Sequence, residues 1–330
     1  MDDYVFTLSN ELATIAEKEL RETEEVRTNA IKVIRDWTMN NPRILKTRLD
    51  STFLLRFLRF RKFSIPLAQE AIERYLVLKQ GSFGKDWFNV LDMTIPSVDK
   101  LLESGYVFPL LERDDQGRRV IFARPGVIDL TSATAGMDYL IVLTLTAEAL
   151  LDDEENQIRG CVYITDHTDV NLNHFKMFSP QFSMRLGKNC EKIVAMRHKG
   201  FNSLNVSPSL KWISDLFLTH MSEKLQNRFH FCQSVEDLKG MDRKILPLEY
   251  GGTVPLKNMV SLWKKELQSH HNLRLKYKEM KVRAEMYPPQ VLEGSVKTLK
   301  FLLNSPDLNE KNVNDSMHGI QGSFRKLEID

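Results

Sequence analysis

Two pairs of cations and one apolar helix carry the chemistry of this sequence. Arg197 and Lys199 are two apart in a stretch with strand character, so their side chains share one face. Lys224 and Arg228 are four apart in a short predicted helix beginning near Ser222, so they share a face as well. Taken singly, each pair suits a solvated surface. If all four converge, they suit a multiply charged phosphate headgroup, because charge-assisted hydrogen bonds are stronger than neutral ones. Between the pairs lies Leu210 to Met221. At about 100° per residue, Ile213, Phe217 and Met221 fall within about 60° of Leu210, and Lys211, Asp215 and Thr219 form a narrow polar wedge. Trp212, Leu216 and Leu218 flank that wedge. A helix this apolar is either a core helix or a lid over an apolar cavity whose outer residues meet a membrane.

Motifs for catalysis are missing. There is no G-x-x-x-x-G-K-[ST] phosphate loop, no G-x-G-x-x-G fingerprint and no G-x-S-x-G elbow, so those routes to nucleotide binding or a serine nucleophile have no support. His270 and His271 are adjacent and diverge on a helix, which suits a solvated pair rather than a metal site. Asp166, Asp169, Asn171 and Asn173 lack the glycine and terminal glutamate of a calcium loop and read as strand-end and cap residues. No catalytic residue, metal or cofactor is expected.

The elements that must position the cations begin with a helical segment over the first 40 residues, with Leu12, Ile15, Ala16 and Leu20 on one face and a break at Asn41-Pro42. Glu11 to Glu25 has a local net charge of −4 and reads as a solvated face. Asp50 or Ser51 caps a helix carrying Leu54, Phe57 and Leu58, with Arg56 and Arg59 pointing away, solvated or paired. Pro66 opens the next helix. Leu110 to Phe122 predicts a hairpin turning at Asp114-Asp115-Gln116-Gly117. An apolar helix from about Ala135 to Leu151, a strand from Cys161 to Asp166, a helix opened by Ser179-Pro180, a strand within 193–204 and a helix from Ser207-Pro208 follow. Strands alternating with helices predict an α/β fold with a mainly parallel sheet covered by helices. Lys264 to Glu285, with a net +4, predicts one helix ending before Pro288-Pro289.

The 330 residues leave room for two domains. Lys+Arg 46 against Asp+Glu 44, a net of +2, argues against a nucleic-acid partner. No secretory signal is readable at Met1-Asp2-Asp3-Tyr4, and the apolar run Tyr139 to Leu151 is short of the roughly 20 residues of a membrane span. Cys161, Cys190 and Cys232 are widely spaced and odd in number, which suits free thiols in a reducing cytosol. The expectation is a cytoplasmic monomer.

Two ordered segments resemble a known family. FLLRFLRFRKF, Phe53 to Phe63, resembles the helical N-terminal module of CRAL-TRIO proteins, and LPLEYGG, Leu246 to Gly252, resembles the close of their lipid-binding domain. The turn Asp114 to Arg118, the strand ending at Asp166, the Ser-Pro helix start and Ile245-Leu246-Pro247 follow in the same order. The chain looks most like the branch of α-tocopherol transfer proteins and cellular retinaldehyde-binding proteins, and its ending, Gly322 to Leu327, is similar to the tails of arthropod members.

The resemblance implies a helical module over 1–90, a lipid-binding domain over 91–256 and a C-terminal helical segment and tail over 257–330. It also implies a cytosolic carrier of one hydrophobic molecule such as a retinoid, tocopherol or related terpenoid, held between a sheet floor and a helical gate. It turns Leu210, Ile213, Phe217 and Met221 into that gate; Tyr163 and Thr165 add hydroxyls, and Phe178, Phe182 and Leu186 line the opposite wall. Aligned on Gly200 and Asn205, the branch's phosphoinositide pairs fall on Arg197 with Lys199 and on Lys224 with Arg228, which implies transient peripheral contact with membranes. Asn202 stands where a histidine is common, and Asp169 where a glycine often follows the strand-end aspartate. The competing readings are a lipid-regulated protein-interaction module, working through the acidic N-terminal helix or the basic C-terminal segment, and a lipid-ester hydrolase.

Overall fold

The structure is a computed structural model that describes residues 4–81, 91–177, 194–219 and 221–292. The expected Ser179-Pro180 helix and the Gly322 to Leu327 tail lie outside them.

Helix formation at the N-terminus follows the capping chemistry. Ser9 accepts from the Leu12 amide to start α1 (Asn10–Ile15), and Thr23 accepts from Val26 to start α2 (Glu24–Asn40). The expected helical segment is divided between them by a π-helical turn, Ala16–Leu20, which ends where Arg21 enters the left-handed region at φ 67. After β1 (Ile44–Lys46), Asp50 caps α3 (Ser51–Phe60), and Pro66 sits in the first turn of α4 (Ile65–Gly81). Phe53, Phe57 and Tyr75 meet edge to face and centre the core of this module.

The second half is built on a five-stranded sheet. Its elements run α5 (Pro96–Glu103), β2 (Val107–Arg113), β3 (Arg119–Ala123), α6 (Ala135–Leu151), α7 (Glu154–Arg159), β4 (Cys161–Asp166), α8 (Leu172–Phe175), β5 (His198–Leu204), α9 (Pro208–Leu218), α10 (Glu223–Gln226) and β6 (Phe229–Cys232). The strand order is β2-β3-β4-β5-β6; β2 and β3 form the predicted antiparallel hairpin, and every later pairing is parallel. Asp114 makes the hairpin turn by accepting from the Gln116 and Arg118 amides. The expected α/β class, with a mainly parallel sheet and covering helices, is therefore the observed one.

Several expectations need correction. Of the two alternatives for Arg56 and Arg59, solvated or paired, only pairing holds: they are 1% and 0% exposed and ion-paired. Helix α3 is covered on both sides, by α2 and α4 and by α7, so the face opposite its leucines is also interior. Arg56 reaches Glu148 of α6 at 2.8 Å, and its guanidinium lies over the rings of Phe53, Phe57 and Tyr75. Burial raises the Glu148 carboxyl, but the Arg56 and Lys79 charges outweigh it and hold the group at about 2.

Second, the acidic segment is not simply solvated. Glu22 is buried against Arg59, Glu11 pairs with Arg159, and Glu19 pairs with Arg197 and Lys199. Third, Lys264 to Glu285 is not one helix. It divides into α11 (Leu256–Ser269), α12 (His271–Lys278) and β7 (Lys281–Val282), followed by α13 (Pro289–Leu292). β7 pairs antiparallel with β1, so the C-terminal segment is tied back to the N-terminal module. His270 is half-buried beside Glu148 and Tyr277, with its Nδ1 buried, rather than part of a solvated pair.

Candidate lipid and headgroup site

The sheet offers one closed face and one half-open face. Along β4, Val162 and Ile164 are buried while Tyr163 and Thr165 are only half-buried, the period-two pattern of a strand whose faces differ in cover. Register places Tyr163, Phe201 and Phe229 in one row across β4, β5 and β6. Their rings stack at 4.8 and 4.4 Å with interplanar angles of 8° and 7°. The next row holds Thr165, Ser203 and Phe231. This aromatic floor carries few polar groups, the composition of an apolar ligand site. The Tyr163 hydroxyl lies 2.8 Å from Nδ1 of His198. Burial, with the Arg228 charge added, pushes the His198 imidazole down to about 4, so it is neutral near pH 7.

Helix α9 borders this face. Lys211 lies over the ring of Phe231 at 5.5 Å. Leu210 is buried and Ile213 half-buried; the expected helix to Met221 ends at Leu218, so Met221, also half-buried, lies past its end. On its outer side, Trp212 and Leu216 are 60% and 54% exposed, one turn apart. The Phe217 side chain, and Phe178, Phe182 and Leu186 of the expected opposite wall, lie outside what is described.

The four cations come together. Lys224 is pushed down by burial and then by the charges of Arg228, Lys62 and Arg197; Lys199 is pushed down by burial and by Arg197 and Arg228, against the pull of Glu19. The route differs from simple strand parity. Arg197 precedes β5, whose pairing with β4 shifts register between His198 and Gly200, and Arg228 lies beyond α10, next to β6. Backbone acceptors hold the guanidinium groups: Arg197 donates to the Ile158 carbonyl and Arg228 to the His198 carbonyl. Gly160 makes the first of these possible. Its φ is +81, and a Cβ there would sit 2.3 Å from the Arg197 carbonyl oxygen, so only glycine lets α7 turn so close to the cluster.

The strand-end network closes the domain. Asp166 accepts from Thr168, from Asn205 and from the hydroxyl of Tyr250 in the LPLEYGG segment. A Cβ on Gly252 would lie 1.6 Å from the Leu246 carbonyl oxygen, which accounts for the second glycine of that motif. Asp169 has φ 64, the left-handed region where glycine is the usual choice and aspartate is tolerated.

A family model described as "CRAL/TRIO domain" matches residues 103–252. A human protein called "Alpha-tocopherol transfer protein-like" is 32% identical over 255 residues, covering 76% of this chain and 72% of that protein. The chain belongs to the CRAL-TRIO family. Human "Clavesin-2" is 26% identical over 265 residues, covering 80% of both proteins. The solved structure of Sfh5 matches 81% of this chain and 99% of its own at 11% identity, with a TM-score of 0.44.

Within this CRAL-TRIO fold, sequence reasoning missed four residues of the site. Phe201 and Phe229 join the floor through strand register, which no local pattern carries. Lys62, at φ 50 in the turn after α3, adds its charge to the set from the side of Lys224; nothing in its spacing points there. Glu19 is the fourth, and the −4 charge of its segment was the available signal. Among the described residues no helix is long and apolar enough to cross a membrane, and no group of three or more His, Cys, Asp or Glu is arranged to hold a metal ion.

Proposed function

We propose that this protein binds one small hydrophobic lipid of isoprenoid type, such as a retinoid, a tocopherol or a related terpenoid, and delivers it to membranes that contain phosphoinositides. The observation that carries the reading is the juxtaposition of five cations, Lys62, Arg197, Lys199, Lys224 and Arg228, with the half-open aromatic floor and with a helix that exposes Trp212 and Leu216. Family membership and the relative named for tocopherol transfer favour a lipid cargo over a catalytic role.

In this reading the floor of Tyr163, Phe201 and Phe229 receives the apolar body, whose burial contributes roughly 25 cal/mol per Å² before the costs of association. Thr165 and the Tyr163–His198 pair orient its polar end. Leu210, Ile213, Phe217 and Met221 form the inner side of the gate, and Phe178, Phe182 and Leu186 the facing wall. The cations grip a headgroup while Trp212 and Leu216 enter the lipid interface, where an aromatic ring and an aliphatic side chain are both stable. The protein acts as a cytoplasmic monomer and touches membranes transiently.

Replacing Trp212 and Leu216 together with serine should slow transfer of a fluorescent tocopherol or retinoid analogue between phosphoinositide vesicles by about tenfold, the loss of roughly 1.4 kcal/mol of interfacial burial. Stopped-flow dequenching reads the rate. A variant that transfers as fast as the parent would remove α9 from the membrane step.

A further inference from the structure

The headgroup cluster already holds an anion of its own. One Glu19 carboxylate oxygen accepts from both Arg197 and Lys199, the latter at 2.8 Å, across more than 170 residues of sequence. Among the described residues Lys62, Lys224 and Arg228 have no carboxylate partner, and Glu19 is the one carboxylate paired with any of the five cations.

The position of Glu19 is built rather than incidental. Leu12, Ala16 and Leu20 bury with Ile158 of α7 in a small core of their own, while Glu22, three residues on, is locked into Arg59. The segment between is the π-helical turn, a geometry that recurs at functional positions. Ile158 also supplies the carbonyl that holds Arg197, so one short stretch of α7 aligns the acid and the base. The Glu19 side chain is 45% exposed and can swing into solvent without disturbing the buried leucines. Burial opposes its ionisation, but hydrogen bonds from Lys199 and Arg197 hold it down to about 2, so it is charged at every physiological pH.

We propose that Glu19 is an internal competitor for the headgroup site: it occupies Arg197 and Lys199 until a polyphosphorylated inositol headgroup displaces it. The inference rests on the headgroup reading of the cluster and adds its regulation. A headgroup with several phosphates reaches from Lys62, Lys224 and Arg228 to Arg197 and Lys199, and it supplies more charge than one carboxylate. A lipid with a single negative charge satisfies the open cations and leaves Glu19 seated. The latch thereby favours membranes rich in polyphosphoinositides over those that are merely anionic.

The test is a double-mutant cycle on vesicle binding. Phosphatidylcholine vesicles carrying either phosphatidylserine or phosphatidylinositol bisphosphate are titrated with the parent, E19Q, R197A/K199A and the triple variant. E19Q should bind bisphosphate vesicles about 5-fold more tightly, the scale of two partly exposed ion pairs, with a smaller gain on phosphatidylserine. E19D, which keeps the charge on a shorter arm, should fall between. The gain should vanish when E19Q is added to R197A/K199A. A gain that persists in that background, or is equal on both vesicles, overturns the latch and leaves only a change in net charge. If R197A/K199A binds bisphosphate vesicles as the parent does, the headgroup reading itself fails. Soluble inositol trisphosphate separates the two sources of the ligand: a soluble headgroup that competes with vesicles and gains from E19Q supports the latch at a membrane site, whereas one that binds while no vesicle does overturns the membrane part.

Discussion

Replacing Arg59 with methionine should destabilise the protein by about 3–5 kcal/mol, the scale seen when one partner of a buried ion pair is removed. Arg59 is fully buried; it makes two 2.8 Å hydrogen bonds to Glu22 and further bonds to Glu154 and Gln157 of α7 at 2.7 and 2.9 Å. Methionine fills much of the volume but leaves the Glu22 side chain, also 0% exposed, without its main counter-charge. Arg27, at 3.5 Å, compensates only in part. Because Arg59 joins the N-terminal helices to α7, the same change loosens the frame on which Glu19 and Arg197 are aligned. Urea unfolding measures the loss. Adding Glu22→Met to Arg59→Met should recover part of it, since an apolar pair avoids the desolvation of two charges. A loss below about 1 kcal/mol for the single variant would mean that the pair is solvated in the folded protein.

The second large effect concerns membrane binding. Changing Arg197, Lys199, Lys224 and Arg228 together to alanine should weaken binding to phosphoinositide vesicles by at least about 100-fold, taking roughly 1 kcal/mol for each basic residue near an anionic surface. Lipid uptake in solution should persist, because the cations lie beside the aromatic floor rather than on it. Raising the ionic strength should reduce the parent's binding in the same direction, as screening shortens the reach of exposed charges. Vesicle sedimentation reads both. An unchanged affinity would leave the cluster as ordinary surface and would remove the reason for placing delivery at phosphoinositide membranes.

Sequence was most informative where structure is decided locally. The Ala135–Leu151 helix and the Cys161–Asp166 strand end where an apolar run meets Asp152 and where a β-rich run meets Asp166 and the turn after it. The hairpin follows from Asp114 and Gly117. The buried arginines were not legible, because periodicity identifies one apolar face of α3 and says nothing of a second layer; their partners Glu22, Glu148 and Glu154 lie 37 to 95 residues away. The C-terminal segment misled for a related reason. A basic run looks helical throughout, yet its last part is held by pairing with β1, more than 230 residues earlier. In the site, the cations were legible as pairs and as a family pattern. Their convergence, the stacked floor and the Glu19 latch depend on register and on a packed N-terminal turn, neither of which has a local signature.

On the proposed reading the half-open floor holds one apolar lipid. Native mass spectrometry of the full-length protein, followed by solvent extraction of whatever it carries, tests this directly. The expected result is a one-to-one complex with a single isoprenoid-type molecule, acquired during expression or taken up from a mixed panel of retinoids, tocopherols and terpenoids. Protein that stays empty across a broad panel of apolar ligands would contradict it.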